Sequence, residues 1–224
     1  MLKAFAHVAV MFMTGAVLVS CHAATKSPVP PPESDAHLAA ISSREIAVFA
    51  GGCFWGTQAV FERVRGVVGT TAGYSGGSAT TANYEAVSSE TTGHAESVQV
   101  IFDPSKITYG QLLRIFFSVA HDPTELNRQG NDIGTSYRSV IFYANSEQKS
   151  IANAYIAQLD AAHVFPKPIV TQVVPLKVFY PAEAYHQDYA LKHPENPYIY
   201  ICDRPKVAAL KKEFPDLFVK YKGE

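Results

Sequence analysis

Cysteine is scarce in this chain. There are three in 224 residues, at positions 21, 53 and 202. That is too few for a disulfide framework. Cys-x-x-Cys and His-Glu-x-x-His are both missing, so the usual frames for zinc are not there, and no metal is expected. No Gly-x-Gly-x-x-Gly follows a strand pattern, which argues against a dinucleotide fold. Formal net charge is only -1 and no basic stretch stands out, which argues against a nucleic-acid partner. No internal repeat is visible. Tryptophan occurs once, at Trp55. What remains is 47% hydrophobic and 17% charged, enough to bury one core of ordinary size.

The one long apolar run is at the start. Residues 4–19 are almost unbroken, after a single lysine at Lys3. That length suits a signal-peptide core and is short for a membrane span. The run ends in Leu18-Val19-Ser20-Cys21, which resembles a bacterial lipobox with Cys21 as the lipidated residue. Cleavage after Ala23 or Ala24, giving a soluble periplasmic protein, and an uncleaved anchor are the other readings. Each places the working domain outside the cytoplasm, touching a membrane only through its N-terminus. The division read from the sequence is signal peptide 1–20, Pro-rich linker 21–42 and working domain 43–224. The proline run of the linker, VPPPES, is expected to stiffen the chain and stay out of the core.

Within the domain, 45–50 reads as a buried strand, 57–64 as a helix and 67–74 as a strand closed by Ser75-Gly76-Gly77. Residues 96–102 alternate as a strand. Thr108 with Gln111 forms a capping box before an apolar helix through 120. Residues 138–143 return to strand, and 147–163 form an amphipathic helix capped by Asn145 or Ser146. Strand 169–174, helix 182–192, a β-like run 198–202 and a last helix 205–214 complete the pattern. The order through residue 143 is β-α-β-β-α-β, so an α+β, ferredoxin-like split sheet is expected, extended by a helix, a strand and a helical tail. The polar stretches 78–95 and 121–136 are long for passive connections.

Cys53 lies in Gly51-Gly52-Cys53-Phe54-Trp55-Gly56, where the first strand gives way to a helix. The free N–H groups and positive end of a helix favour an anion, so an acidified, nucleophilic thiol is expected; a buried structural cysteine is the other reading. Phe54 and Trp55 are either helix core or an aromatic seat beside the sulfur. Period two puts Glu96 on the face of Val98, Val100 and Phe102. It is then either an enclosed carboxyl with a raised pKa, suited to general acid work, or a frayed strand end in solvent. A cysteine hydrolase, with His94, His121 or His186 as base, and a binding protein without chemistry are the rival functions.

In chain order the motifs are GGCFWG at 51–56, GYSGG at 73–77, Asn83-Tyr84-Glu85, Gly93-His94-Ala95-Glu96, His121-Asp122-Pro123-Thr124, NRQGNDIGTSYRS at 127–139 and AEAYHQDY at 182–189. Together they closely resemble the A-type peptide methionine sulfoxide reductases over about residues 44–214. The resemblance implies reduction of methionine-S-sulfoxide, free or in oxidised proteins, through a cysteine sulfenic acid. It implies Cys53 as nucleophile and Glu96 as proton donor. Tyr84 and Tyr137 would hold the sulfoxide oxygen, Asp132 would be the carboxylate near the pocket, and Phe54 and Trp55 the seat for the methyl group. No bound cofactor is implied. Reducing equivalents would come from thioredoxin or another dithiol, with the enzyme acting as a monomer. Cys202, in a run without glycine, is either the resolving cysteine or a half-buried strand residue.

Overall fold

The computed structural model describes residues 28–221. The signal segment and Cys21 lie outside the described residues. The elements run β1 (Glu45–Ala50), α1 (Phe54–Phe61), β2 (Val67–Ser75), α2 (Tyr84–Val87), β3 (Ala95–Phe102), α3 (Tyr109–Ile115), the small hairpin β4 (Arg128–Gln129) and β5 (Asp132–Ile133), β6 (Val140–Tyr143), α4 (Ser146–Ala161), β7 (Gln172–Pro175), β8 (Phe179–Pro181), α5 (Tyr189–Lys192) and α6 (Arg204–Glu213).

The main sheet has the order β7-β6-β1-β3-β2-β8. Its middle four strands are mutually antiparallel, with β3 between β1 and β2 and with β6 beyond β1, which is the split β-α-β-β-α-β arrangement. Strand β7 adds in parallel outside β6, and β8 adds antiparallel outside β2. Ala47, Phe49, Ala72, Val98, Val100 and Phe102 turn to the side that carries the large core. There Phe49 stacks between Phe61 and Phe116, with ring centroids 5.2 and 5.0 Å away. The other side buries a smaller cluster around Val48, Val140 and Phe142.

Local chemistry explains where the elements begin. Thr108 and Gln111 exchange the two bonds of a capping box at α3, and Asn145 caps α4 through the Gln148 N–H. Helix α1 starts at Phe54, earlier than the periodicity indicates, with Cys53 itself at the N-cap position and no side chain capping it.

Four expectations need correction. The proline run does not stay free. Val29 is 3% exposed within the core, Tyr155 Oη donates to the Pro30 carbonyl at 2.6 Å, and Arg114 Nε donates to the Val29 carbonyl at 2.9 Å. An extended proline segment leaves its carbonyls unpaired, and α3 and α4 supply donors for them. Asp35 then caps α3 through the Gly110 N–H and the Thr108 hydroxyl. The 182–192 helix is broken into a 3-10 turn, Ala184–His186, and α5. Gln187 bonds both the N–H and the carbonyl of Ala72 on β2, and Asp188 takes φ 56. That pulls the chain off a helical path. The 198–202 run is a π turn leading into α6, with Ile199 enclosed and Tyr200 and Ile201 exposed. The strand expected at 169–174 starts at Gln172, because the Ile169 and Val170 N–H groups are taken by Asp160 and by the Pro123 carbonyl.

Candidate active site

Strands β1 and β3 are antiparallel, so the end of β1 and the start of β3 lie at one edge of the sheet. Cys53 follows β1 and Glu96 is the second residue of β3. Topology alone therefore brings the thiol and the carboxyl together. The link is direct: the Phe54 N–H, first in α1, donates to Glu96 Oε2 at 3.0 Å. Glu96 pairs with Tyr74 across the β2–β3 ladder and is 4% exposed, so the inward reading of the alternation holds.

Gly52 makes room for the third wall. Its φ is +84, and a Cβ there would stand 2.5 Å from Gln129 Cγ. Gln129 belongs to the β4–β5 hairpin and is fixed by two bonds to the Asp122 backbone. This seating carries Asp132 of β5 to the cleft. Tyr137 arrives on the 3-10 turn Thr135–Tyr137, which the Glu90 carboxylate holds by accepting from the Ser136 N–H and Oγ. Tyr84 opens α2, and its N–H donates to Glu183 Oε1.

These groups line one cleft of about 190 Å³, with Cys53, Phe54, Trp55, Tyr84, Glu96, Asp132, Tyr137 and Tyr198 in its walls. Seven of the eight are residues singled out in the sequence. Tyr198 was missed, because its segment reads as a strand. It precedes the π turn at 199–203, and its hydroxyl donates to Asp132 Oδ2 at 2.5 Å. His186, inside the AEAYHQDY motif, was weighed as a base. It instead accepts from Trp55 Nε1 at 3.1 Å through Nδ1, while Tyr189 stacks on the indole at 3.8 Å. The indole is thus held flat as a wall. Cys202 does not line the cleft; it is partly buried in the π turn.

The electrostatics differ from the sequence expectation at one point. The Cys53 thiol is not acidified by its helix. Enclosure and the nearby Glu96 and Asp203 carboxyls push it well up, outweighing the Trp55 N–H that pulls it down. Glu96 behaves as expected: enclosure, opposed by the Phe54 N–H and aided by the Asp132, Glu90 and Asp203 carboxyls, raises it to about 8. Tyr137 and Tyr198 are pushed up by enclosure and keep their protons. Near neutral pH the cleft therefore presents a thiol, a carboxylic acid and phenols, all as proton donors. The three histidines do not serve as a base for the thiol. His94 is bonded to the Gly77 N–H and the Ser78 carbonyl, His121 to Phe116 and Ser139, and none of them lines the cleft. The cysteine–histidine hydrolase reading is left without its dyad.

The family pattern described as peptide methionine sulfoxide reductase matches residues 45–217. The peptide methionine sulfoxide reductase MsrA 2 of Mesorhizobium japonicum is 58% identical over 174 residues, which are 78% of this chain and 89% of that protein. MsrA of Thermus thermophilus is 50% identical over 173 residues, 77% of this chain and 97% of that one. Among solved structures, methionine sulfoxide reductase A of Corynebacterium diphtheriae aligns with a TM-score of 0.58 at 35% identity, covering 67% of this chain and 76% of that one. Mxr1 of Saccharomyces cerevisiae in reduced form aligns at 0.63 and 31%, covering 73% and 92%. With a family pattern spanning the whole sheet and every wall of the cleft, the chain belongs to the peptide methionine sulfoxide reductase family.

Proposed function

We propose that this protein reduces methionine-S-sulfoxide, free or within oxidised proteins, to methionine, with Cys53 as nucleophile and Glu96 as general acid. The observation that carries the reading is the Cys53–Phe54–Glu96 arrangement: a thiol and an enclosed, protonated carboxyl brought to one apolar-walled cleft through a single backbone N–H.

The chemistry needs those parts at one point. A sulfoxide sulfur is a poor electrophile until its oxygen is hydrogen-bonded or protonated. Phe54 and Trp55 seat the methyl group, and the Tyr84 and Tyr137 hydroxyls and Glu96 meet the oxygen. The substrate's S–O dipole is positive at sulfur, which favours loss of the Cys53 proton as the substrate enters. The Cys53 sulfur attacks the sulfoxide sulfur while Glu96 protonates the oxygen. The S–O bond of the substrate breaks, the sulfur–sulfur bond made in the attack breaks as the Cys53 sulfur takes up the oxygen, and methionine leaves with Cys53 as a sulfenic acid. The sulfoxide gains two electrons and the thiol loses two; the thiol proton replaces the one Glu96 gave. A thiol then condenses with the sulfenic acid, releasing water and forming a disulfide, which an external dithiol of the thioredoxin kind reduces. Cys202 is the candidate for that first thiol within the chain. Two further parts of the proposal are that the protein is an exported lipoprotein anchored through Cys21 and facing the periplasm, as its N-terminal sequence suggests, and that it acts as a monomer.

A single turnover without added reductant tests this. The full chain, fully reduced, is mixed with each epimer of a methionine sulfoxide peptide. Methionine released from the S epimer alone is the expected result. Protein two hydrogens lighter, with Cys53 and Cys202 joined in the peptide map, marks a Cys53–Cys202 disulfide, and protein one oxygen heavier marks a lone sulfenic acid. No methionine from either epimer, with Cys53 still a free thiol, would overturn the proposal.

A further inference from the structure

Behind the cleft lies a second buried ionic group that the reaction above does not use. Asp203 closes the π turn before α6 and is 1% exposed. Its carboxylate rests against Gly56, in the first turn of α1. A Cβ on Gly56 would meet Asp203 Oδ1 at 2.0 Å and Lys206 Nζ at 2.7 Å. Lys206 Nζ is 3.3 Å from Oδ1. Beyond that ion pair, neither carboxylate oxygen takes a hydrogen bond among the described residues. Enclosure raises the pKa of Asp203, and Lys206 is the group that holds it down. An enclosed carboxylate so poorly bonded is costly, so it needs a reason.

The N-terminal end of α1 can favour one negative charge, yet three acidic groups crowd it. Glu96 takes the Phe54 N–H, Cys53 stands at the N-cap position, and Asp203 lies against Gly56. Among the described residues, Lys206 is ion-paired with Asp203 alone. We propose that Asp203, paired with Lys206 against Gly56 in the first turn of α1, is a positioning residue that keeps Cys53 and Glu96 uncharged at the head of that helix. The inference rests on the reading of Cys53 and Glu96 given above. The charges around the two groups act in that direction. Glu96 and Asp203 push the thiol up and Lys206 pulls it down; Asp132, Glu90 and, least, Asp203 push Glu96 up; Tyr137 and Tyr198 are neutral phenols. The benefit is a thiol kept in reserve. The thiolate, not the thiol, reacts with peroxide, so an empty site escapes oxidation until a sulfoxide dipole is present.

The test follows iodoacetamide alkylation of Cys53 against pH on the full chain, read by peptide mass so that Cys202 is scored separately. The alkylation arm needs no sulfoxide turnover, so its outcome is independent of whether the reductase assignment stands. Asp203→Asn is expected to shift the profile to lower pH and speed alkylation roughly tenfold at a fixed pH below the transition. Oxidation by hydrogen peroxide should speed up in the same ratio. The descending limb of kcat/KM, set by Glu96, should move the same way. Gly56→Ala drives the carboxylate off α1 and should shift alkylation in the same direction, which carries the test if Asp203→Asn does not fold. A folded Asp203→Asn protein that loses rate without moving either profile would reduce Asp203 to a packing residue and overturn the inference. An upward shift in either variant would overturn it as well.

Discussion

Glu96, at the start of β3, and Asp103, just past its end, are enclosed to nearly the same degree, 4% and 3% exposed. They are driven in opposite directions. Asp103 accepts from the Ser42 hydroxyl and from the N–H and hydroxyl of Ser105, and it pairs with Lys106 at 3.2 Å. Those donors hold it well below the usual carboxylate range. Glu96 has one backbone N–H and a ring of other carboxyls, and rises to about 8. Enclosure is the largest influence on Glu96, where one N–H is too little to offset it, whereas at Asp103 the donors outweigh enclosure. One end of the strand is closed by an ion; the other stores a proton.

The contrast breaks first in the chemistry. Glu96→Gln keeps the shape and an acceptor for the Phe54 N–H but removes the proton donor. Its kcat/KM for the S epimer should fall by roughly 10²–10⁴-fold. Asp103→Asn should leave kcat/KM essentially unchanged. Equal losses in both would mean that the proton on Glu96 is not what the reaction uses.

The next effect is on pH. Glu96 donates only while protonated, so its contribution is present below about pH 8 and lost above it. The kcat/KM of the wild-type protein should therefore descend through that region. In Glu96→Gln the descending limb should disappear, leaving a low rate that rises with pH as the thiol ionises. A wild-type profile still climbing past pH 9 would show that Glu96 does not carry the limb.

The same comparison shows how much was legible in advance. Alternation in ESVQVIF places Glu96 on the inner face, and the glycines before Cys53 locate the strand-to-helix junction. Both readings depend on neighbours in sequence, and both hold. The acidity of Cys53 was misread because a helix end is a local feature, while Glu96 and Asp203 come from distant parts of the chain. Tyr198 and Asp203 were illegible for a related reason. Tyr-Ile-Tyr-Ile has strand periodicity, but the sheet is already closed on that side by β8, and the segment packs on α1 as a π turn. Gln187 was likewise hidden: its amide bonds Ala72 as a strand would, and nothing in AEAYHQDY announces that.

Stability should expose the cost of the stored proton. Glu96 ionises near 4.3 in an unfolded chain and at about 8 in the folded one. Its enclosure costs nothing below about pH 4 and an increasing amount as pH rises toward 8. Glu96→Gln should thus be more stable than the wild type at pH 7, by roughly 3 kcal/mol, with the gain vanishing near pH 4. Urea unfolding at the two pH values measures it. A variant less stable at pH 7 would mean that the carboxyl is better satisfied than its single N–H partner indicates.

Asp103→Asn should do the reverse, and by less. The folded carboxylate is favoured by its donors, so its stabilisation is present above the unfolded value near 3.9 and is lost as pH falls through the depressed folded value. The variant should be less stable than the wild type at pH 7, with the gap narrowing below about pH 4. The loss is limited because an asparagine oxygen still accepts from Ser42 or Ser105, and because Lys106 reaches solvent and gives up only a screened ion pair. What Asn cannot do is accept at both oxygens, so Ser42, which ties the segment before β1 to the end of β3, is the contact most exposed to the change. Faster proteolysis before Glu45, with the cleft chemistry intact, would place the effect at that tie. A protein whose stability gap persisted unchanged at pH 3 would show that Asp103 acts through packing rather than charge, and the opposition between the two carboxyls would lose one of its terms.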